Sequence, residues 1–253
     1  MMNPKISILL AAFAILGLFE LFHSEPQFFY AGLILANLIL VFTLRTLPDQ
    51  RFRSPNYWRL LILPLLFLNS AGVYLSLLTN KILIHFLIIF TVLFIYSYLR
   101  RVYLYQVYKH LHIDLANITS LGALLIIFFS STSLYGLRVS LHFPIWVLVL
   151  NLLILSTLVN YKVFWVNGIS AKKSILFLLV LDLIMIEIGW ALFFLSFSYI
   201  VLGVILTICY YIIIGLTKFH LKDTLDARRL KFYLGCGLSA ICLILLTAQI
   251  LFY

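Results

Sequence analysis

Read from the N-terminus, the chain alternates between long runs of Leu, Ile, Phe and Val and short connectors that hold most of its charge. Nine such runs stand out, at 5–23, 27–44, 57–79, 81–99, 117–137, 143–164, 174–196, 198–217 and 232–252. Each is close to the ~20 residues that an α-helix needs to cross the hydrocarbon core of a bilayer. Barrel strands would alternate apolar and polar residues over about ten positions, and these runs do not. Backbone groups in hydrocarbon must be satisfied within their own segment, so continuous apolar runs of this length predict helices. The expected fold is all-α: a polytopic integral membrane helical bundle, one transmembrane domain over 1–253 with no separate soluble domain.

Composition sharpens that reading. The chain is 64% hydrophobic and only 10% charged, with a mean hydropathy of +1.15. Soluble domains run nearer half apolar and a quarter charged, which excludes an ordinary globular protein as well as a disordered or collagenous one. The 3 cysteines, Cys209, Cys236 and Cys242, lie inside apolar runs with no Cys-x-x-Cys or Cys/His spacing. They read as small membrane-buried hydrophobes, not as a disulfide or a metal set. No metal and no other cofactor is expected.

The net charge of +10 is carried unevenly. With the N-terminus in the cytoplasm, one set of connectors and span ends holds Lys5, then the group from Arg45 to Arg59, Arg100 with Arg101 and Lys109, Lys162 with Lys172 and Lys173, and finally Lys218 to Lys231. Of the 18 Lys and Arg, only Lys81 and Arg138 fall on the other side. The positive-inside rule then places the N-terminus in the cytoplasm and the C-terminus outside. A miscounted span would mix the two sets, so the separation also supports the count. Basic residues in short connectors meet anionic lipid headgroups, so the expected partners are the bilayer and those headgroups, together with a membrane-protein partner; nucleic acid is not expected. Compactness and basic-loop sidedness point to a bacterial inner (plasma) membrane. The first run resembles a signal peptide, but the residues after it lack a small-x-small cleavage site, which predicts a retained span.

One connector has a pattern of its own. The stretch LRRVYLYQVYKHLHI at 99–113 puts Tyr103, Leu104, Val107, Tyr108 and Leu111 on one helical face and Gln106, Lys109, His110 and His112 on the other. That predicts an amphipathic interfacial helix near 100–113, with tyrosines at headgroup depth.

Chemistry is expected where polar groups sit at expensive depth. The seventh run holds two carboxylates: Glu187 near its centre, and Asp182 about 7.5 Å nearer the cytoplasm at ~1.5 Å per residue. Ionisable residues inside a span usually face the bundle interior and mark ion or proton routes. Five residues of separation put the two about 140° apart around the helix, so each needs a partner from another helix. The plainer reading of either is a neutral carboxyl making one interhelical hydrogen bond. Asp182 and Gly189 fall on nearly the same line, which suggests a close helix contact. Supporting polar candidates are Asn69, Ser70, Asn151, Tyr210 and Tyr211, with Asn37 and Ser156 in the same class. Pro64 lies five residues before Asn69; a proline inside a span frees a backbone carbonyl that a polar neighbour must satisfy. At the outer face, Glu20 and His23 share a helical turn, and His85 and His142 are expected at the same level. Such a set could act in acid–base or metal chemistry. Neither H-E-x-x-H, G-x-S-x-G nor a phosphate-loop pattern occurs.

Three functions are compatible with this pattern. The first is a small transporter or permease-like protein whose intramembrane carboxylate, Glu187 with Asp182 as the second candidate, binds a proton or cation. The second is a structural or assembly subunit of a membrane complex, whose polar residues fix helix register. The third is a membrane-embedded enzyme acting on a lipid-linked substrate through Glu20, His23 and His85.

Overall fold

The computed structural model describes residues 4–47, 54–108, 112–224 and 226–250. Among these residues there is no strand, and nine helices are long and apolar enough to cross a membrane. They are α1 (Pro4–Ser24), α2 (Phe29–Arg45), α3 (Pro55–Leu75), α4 (Lys81–Tyr108), α5 (His112–Leu141), α6 (Ile145–Val166), α7 (Ala171–Leu192), α8 (Tyr199–Leu221) and α9 (Ala227–Ile250). The protein is therefore all-helical, with the element count and composition of an integral membrane protein.

Helix ends follow local chemistry. Ser54 and Ser198 cap α3 and α8, accepting from the backbone N–H of Tyr57 and Val201 at 3.4 Å each. Pro55 occupies the first turn of α3, where its missing N–H is harmless. Between α5 and α6 the chain turns through His142, in left-handed backbone with φ 54°, and enters α6 after Pro144.

The longest departures from the expected spans are at α4 and α5. Residues 100–108, expected within a separate interfacial helix, are the last turns of α4. No Pro, Gly or Asn interrupts the chain between Leu99 and Tyr108, so the helix propagates. Its 28 residues span about 42 Å, more than the hydrocarbon core, so the end bearing Arg100 and Arg101 overruns a span. Of the rest of the expected interfacial stretch, residues 109–111, including Lys109, His110 and Leu111, lie outside the described residues, and His112 and Ile113 begin α5.

The chain divides into two compact units, Met1–Gly122 and Ala123–Tyr253. In the first, α1 packs on α2 and α4, and α3 packs on α2 and α4, closing a four-helix ring. Its polar clamp joins α2 to α3: the Asn37 and Asn69 side-chain amides donate to each other at 3.0 and 3.1 Å, and each also donates to the carbonyl one turn back on its own helix. In the second unit α6 packs on α7, α7 on α8 and α8 on α9. α9 is the least covered: only 6% of its window Leu230–Ala248 is buried.

Candidate functional site

The rotation of α7 separates its two carboxylates. Leu178, Leu181, Asp182, Met185, Gly189 and Leu192 are buried and recur at three- and four-residue spacing, forming one stripe. Leu176, Leu179, Leu183, Glu187, Trp190 and Phe194 form the opposite, exposed stripe. Asp182 thus faces inward with 3% of its surface exposed. Glu187, the leading sequence candidate, lies on the exposed stripe among apolar neighbours. Its replacement should therefore leave the fold intact: Glu187→Leu is expected to shift stability by no more than about 0.5 kcal/mol, read as a thermal midpoint in mild detergent.

Against Asp182, α6 presents Ser156, Thr157 and Asn160. Positions i, i+1 and i+4 of a helix share one broad face, which brings all three to a single carboxyl. Ser156 Oγ is 2.7 Å from Asp182 Oδ1, and Thr157 Oγ1 is 2.5 Å from Oδ2. Asn160 Nδ2 donates to Oδ1 at 3.3 Å. Both hydroxyls also approach the Leu153 carbonyl, Thr157 at 2.7 Å and Ser156 at 3.2 Å. Ser156 and Asn160 are fully buried. From α8, Tyr210 is buried, with its hydroxyl lacking a hydrogen-bond partner among the described residues, and it lies within electrostatic reach of Asp182. One helical turn beyond Met185, the seam tightens at Gly189. Tyr135 Oη donates to the Gly189 carbonyl at 2.8 Å, and a Cβ there would meet Leu152 Cδ2 at 2.6 Å.

The other candidates divide by location. Ser70 is buried and donates to Leu66 O at 2.7 Å, within its own helix. Asn151 is exposed and donates to Val147 O at 2.9 Å. Tyr211 stacks on Tyr233 with centroids 5.2 Å apart, joining α8 to α9. None of these three reaches Asp182 by a hydrogen bond among those described.

At the end of α1 the expected outer-face residues do meet. His85 Nδ1 is 3.0 Å from Glu20 Oε1, and the His23 and His85 rings stand edge to face at 5.4 Å. His142 belongs to the second unit. Among the described residues no group of three or more His, Cys, Asp or Glu is arranged to hold a metal. With side chains 50% and 40% exposed, His85 and Glu20 form a surface pair. His85→Ala is expected to cost under about 1 kcal/mol in thermal stability.

Three residues escaped the sequence reading. Thr157 and Asn160 were overlooked although Ser156-Thr157-x-x-Asn160 is a polar face inside an apolar run. Lys162, grouped with the basic connectors, lies within α6 with none of its surface exposed, and its Nζ is 4.5 Å from the centre of the Trp165 ring. A lysine so near a helix end reads in sequence as an interfacial anchor; only the packing of its neighbours shows that it is covered.

No protein-family model, curated protein or solved structure matches this chain.

Proposed function

We propose that the chain is a small transporter or permease-like protein of a bacterial inner membrane, in which the Asp182 carboxyl takes up a proton or a small cation between α6 and α7. The supporting observation is a buried carboxyl, inside a helix long and apolar enough to span a bilayer, gripped by three side chains of one neighbouring helix. A negative charge at that depth is costly alone and is relieved by a single positive charge. Loading and unloading that charge changes what holds α6 against α7, which is the kind of two-state contact that transport requires. In this reading the N-terminus is cytoplasmic and the C-terminus outside, as the basic connectors indicate; reporter fusions at each end test that sidedness.

The transport test uses purified protein in liposomes carrying an internal pH dye, with imposed proton, sodium and potassium gradients in turn. Flux through the wild-type protein that disappears in Asp182→Asn is the expected result. Equal flux in the two proteins would remove Asp182 from the mechanism.

A second reading, a structural or assembly subunit, is favoured by the exposed surfaces of the second unit. Glu187 sits in an apolar stripe, and α9 is almost uncovered. A carboxylate at such a position is relieved by a partner helix that supplies a hydrogen-bond donor. This reading expects a larger complex in native membranes that Glu187→Leu dissociates.

A further inference from the structure

We infer that the positive charge taken up at Asp182 is a proton and not a metal cation, held as a carboxylic acid whose Oδ2–H donates to Thr157 Oγ1. This deepens the proton-or-cation reading above and rests on it. The inference comes from counting protons against short oxygen–oxygen contacts. Thr157 Oγ1 lies 2.5 Å from Asp182 Oδ2 and 2.7 Å from Leu153 O, both of hydrogen-bond length. A threonine hydroxyl has one hydrogen and so satisfies one of these as donor. With Asp182 ionised, both neighbours are pure acceptors, and one of the two contacts is left with no hydrogen between its oxygens. With Asp182 protonated, Oδ2–H donates to Thr157 Oγ1, and the threonine donates onward to Leu153 O. Ser156 Oγ–H and Asn160 Nδ2–H then both donate to Oδ1, at 2.7 and 3.3 Å. Each oxygen–oxygen contact of 2.7 Å or less then has its proton, and only the longer Ser156–Leu153 approach, at 3.2 Å, goes without one.

A metal ion bound through these oxygens would have to part them. Two oxygens bound at right angles to Mg²⁺, at 2.0–2.1 Å each, stand about 2.9 Å apart, and larger ions push ligands further apart. The Thr157–Asp182 and Ser156–Asp182 oxygens are closer than that, at 2.5 and 2.7 Å. Among the described residues, the buried titratable groups on the helices around this seam, besides Asp182 itself, are Lys162 on α6, Tyr210 on α8 and Tyr135 on α5. Tyr135 is committed to the Gly189 carbonyl.

Infrared spectroscopy of the purified protein at neutral pH tests this directly, through the C=O stretch of a protonated carboxyl. The expected spectrum has such a band in the wild type and in Glu187→Gln, and lacks it in Asp182→Asn. Exchanging sodium for choline should leave the band unchanged. Thr157→Val removes the acceptor of the acid proton and should move the band to higher frequency without abolishing it, which also serves if Asp182→Asn folds poorly. A band that vanishes as sodium is added overturns the proton assignment and leaves a cation site. Absence of any Asp182-dependent band, with sodium stabilising the wild type but not Asp182→Asn, does the same. Absence of both the band and the sodium effect ends the proton-or-cation reading altogether.

Discussion

Asp182→Ala is expected to lower stability by about 2–3 kcal/mol, while Asp182→Asn stays within about 1 kcal/mol of the wild type. Interhelical hydrogen bonds in membrane proteins contribute about 0.6 kcal/mol on average and up to about 1.7. Alanine removes three such contacts at once, those with Ser156, Thr157 and Asn160. The two hydroxyls can fall back on the Leu153 carbonyl, which limits the loss. The Asn160 amide has no other acceptor among the described residues and remains buried with its donor unused, which adds a desolvation penalty of about 1–3 kcal/mol. Asparagine is the neutral isostere of the acid: its amide N–H donates to Thr157 as the acid proton does, and its carbonyl accepts from Ser156 and Asn160. Thermal unfolding in a fixed detergent measures both variants. Equal stability of Asp182→Ala and the wild type would mean that the cluster does not hold α6 to α7.

The contrast between Asp182 and Glu187 also marks the limit of what the sequence could show. The nine helices among the described residues were legible because each is a long apolar run and charge collects between them. Their boundaries were less so: α4 runs on through Arg100, Arg101 and Tyr108, since nothing in that stretch stops a helix. Helix rotation was barely legible. In a soluble helix one face is apolar and the other polar, and the pattern itself gives the rotation. In α7 both faces are Leu, Ile and Phe, because a lipid-facing side chain and a core-facing one have the same solvent preference. In the run 174–196 only the alignment of Asp182 with Gly189 pointed to the carboxylate that faces inward. The partners of Asp182 needed still more, namely which helix lies beside α7 and at what register. Glu20 and His85 were easier, because both sit near the ends of their apolar runs, so only the lateral adjacency of α1 and α4 was missing.

A proline buried in α3 leads to the other large effect. Tyr98→Phe is expected to destabilise the protein by about 1–3 kcal/mol, the loss of a hydrogen bond that leaves a buried acceptor unmet. Pro64 has no N–H, so the carbonyl four residues back, that of Leu60, has no helical donor. Tyr98 of α4 supplies one: its hydroxyl donates to Leu60 O at 2.7 Å, and Tyr98, Leu60 and Pro64 are all buried. The freed carbonyl anticipated from Pro64 is thus satisfied from α4, and not by Asn69 or Ser70, whose side chains donate to Leu65 and Leu66 on their own helix. A double-mutant cycle isolates the contact, because Pro64→Ala restores the missing N–H. In that background the Leu60 carbonyl has its helical partner back, and Tyr98→Phe should cost under about 0.5 kcal/mol. The sign of Pro64→Ala alone is immaterial to the cycle, since it cancels in the coupling. If Tyr98→Phe costs the same with proline and with alanine at position 64, the tyrosine is packing against α3 and is not replacing the hydrogen bond that the proline removes.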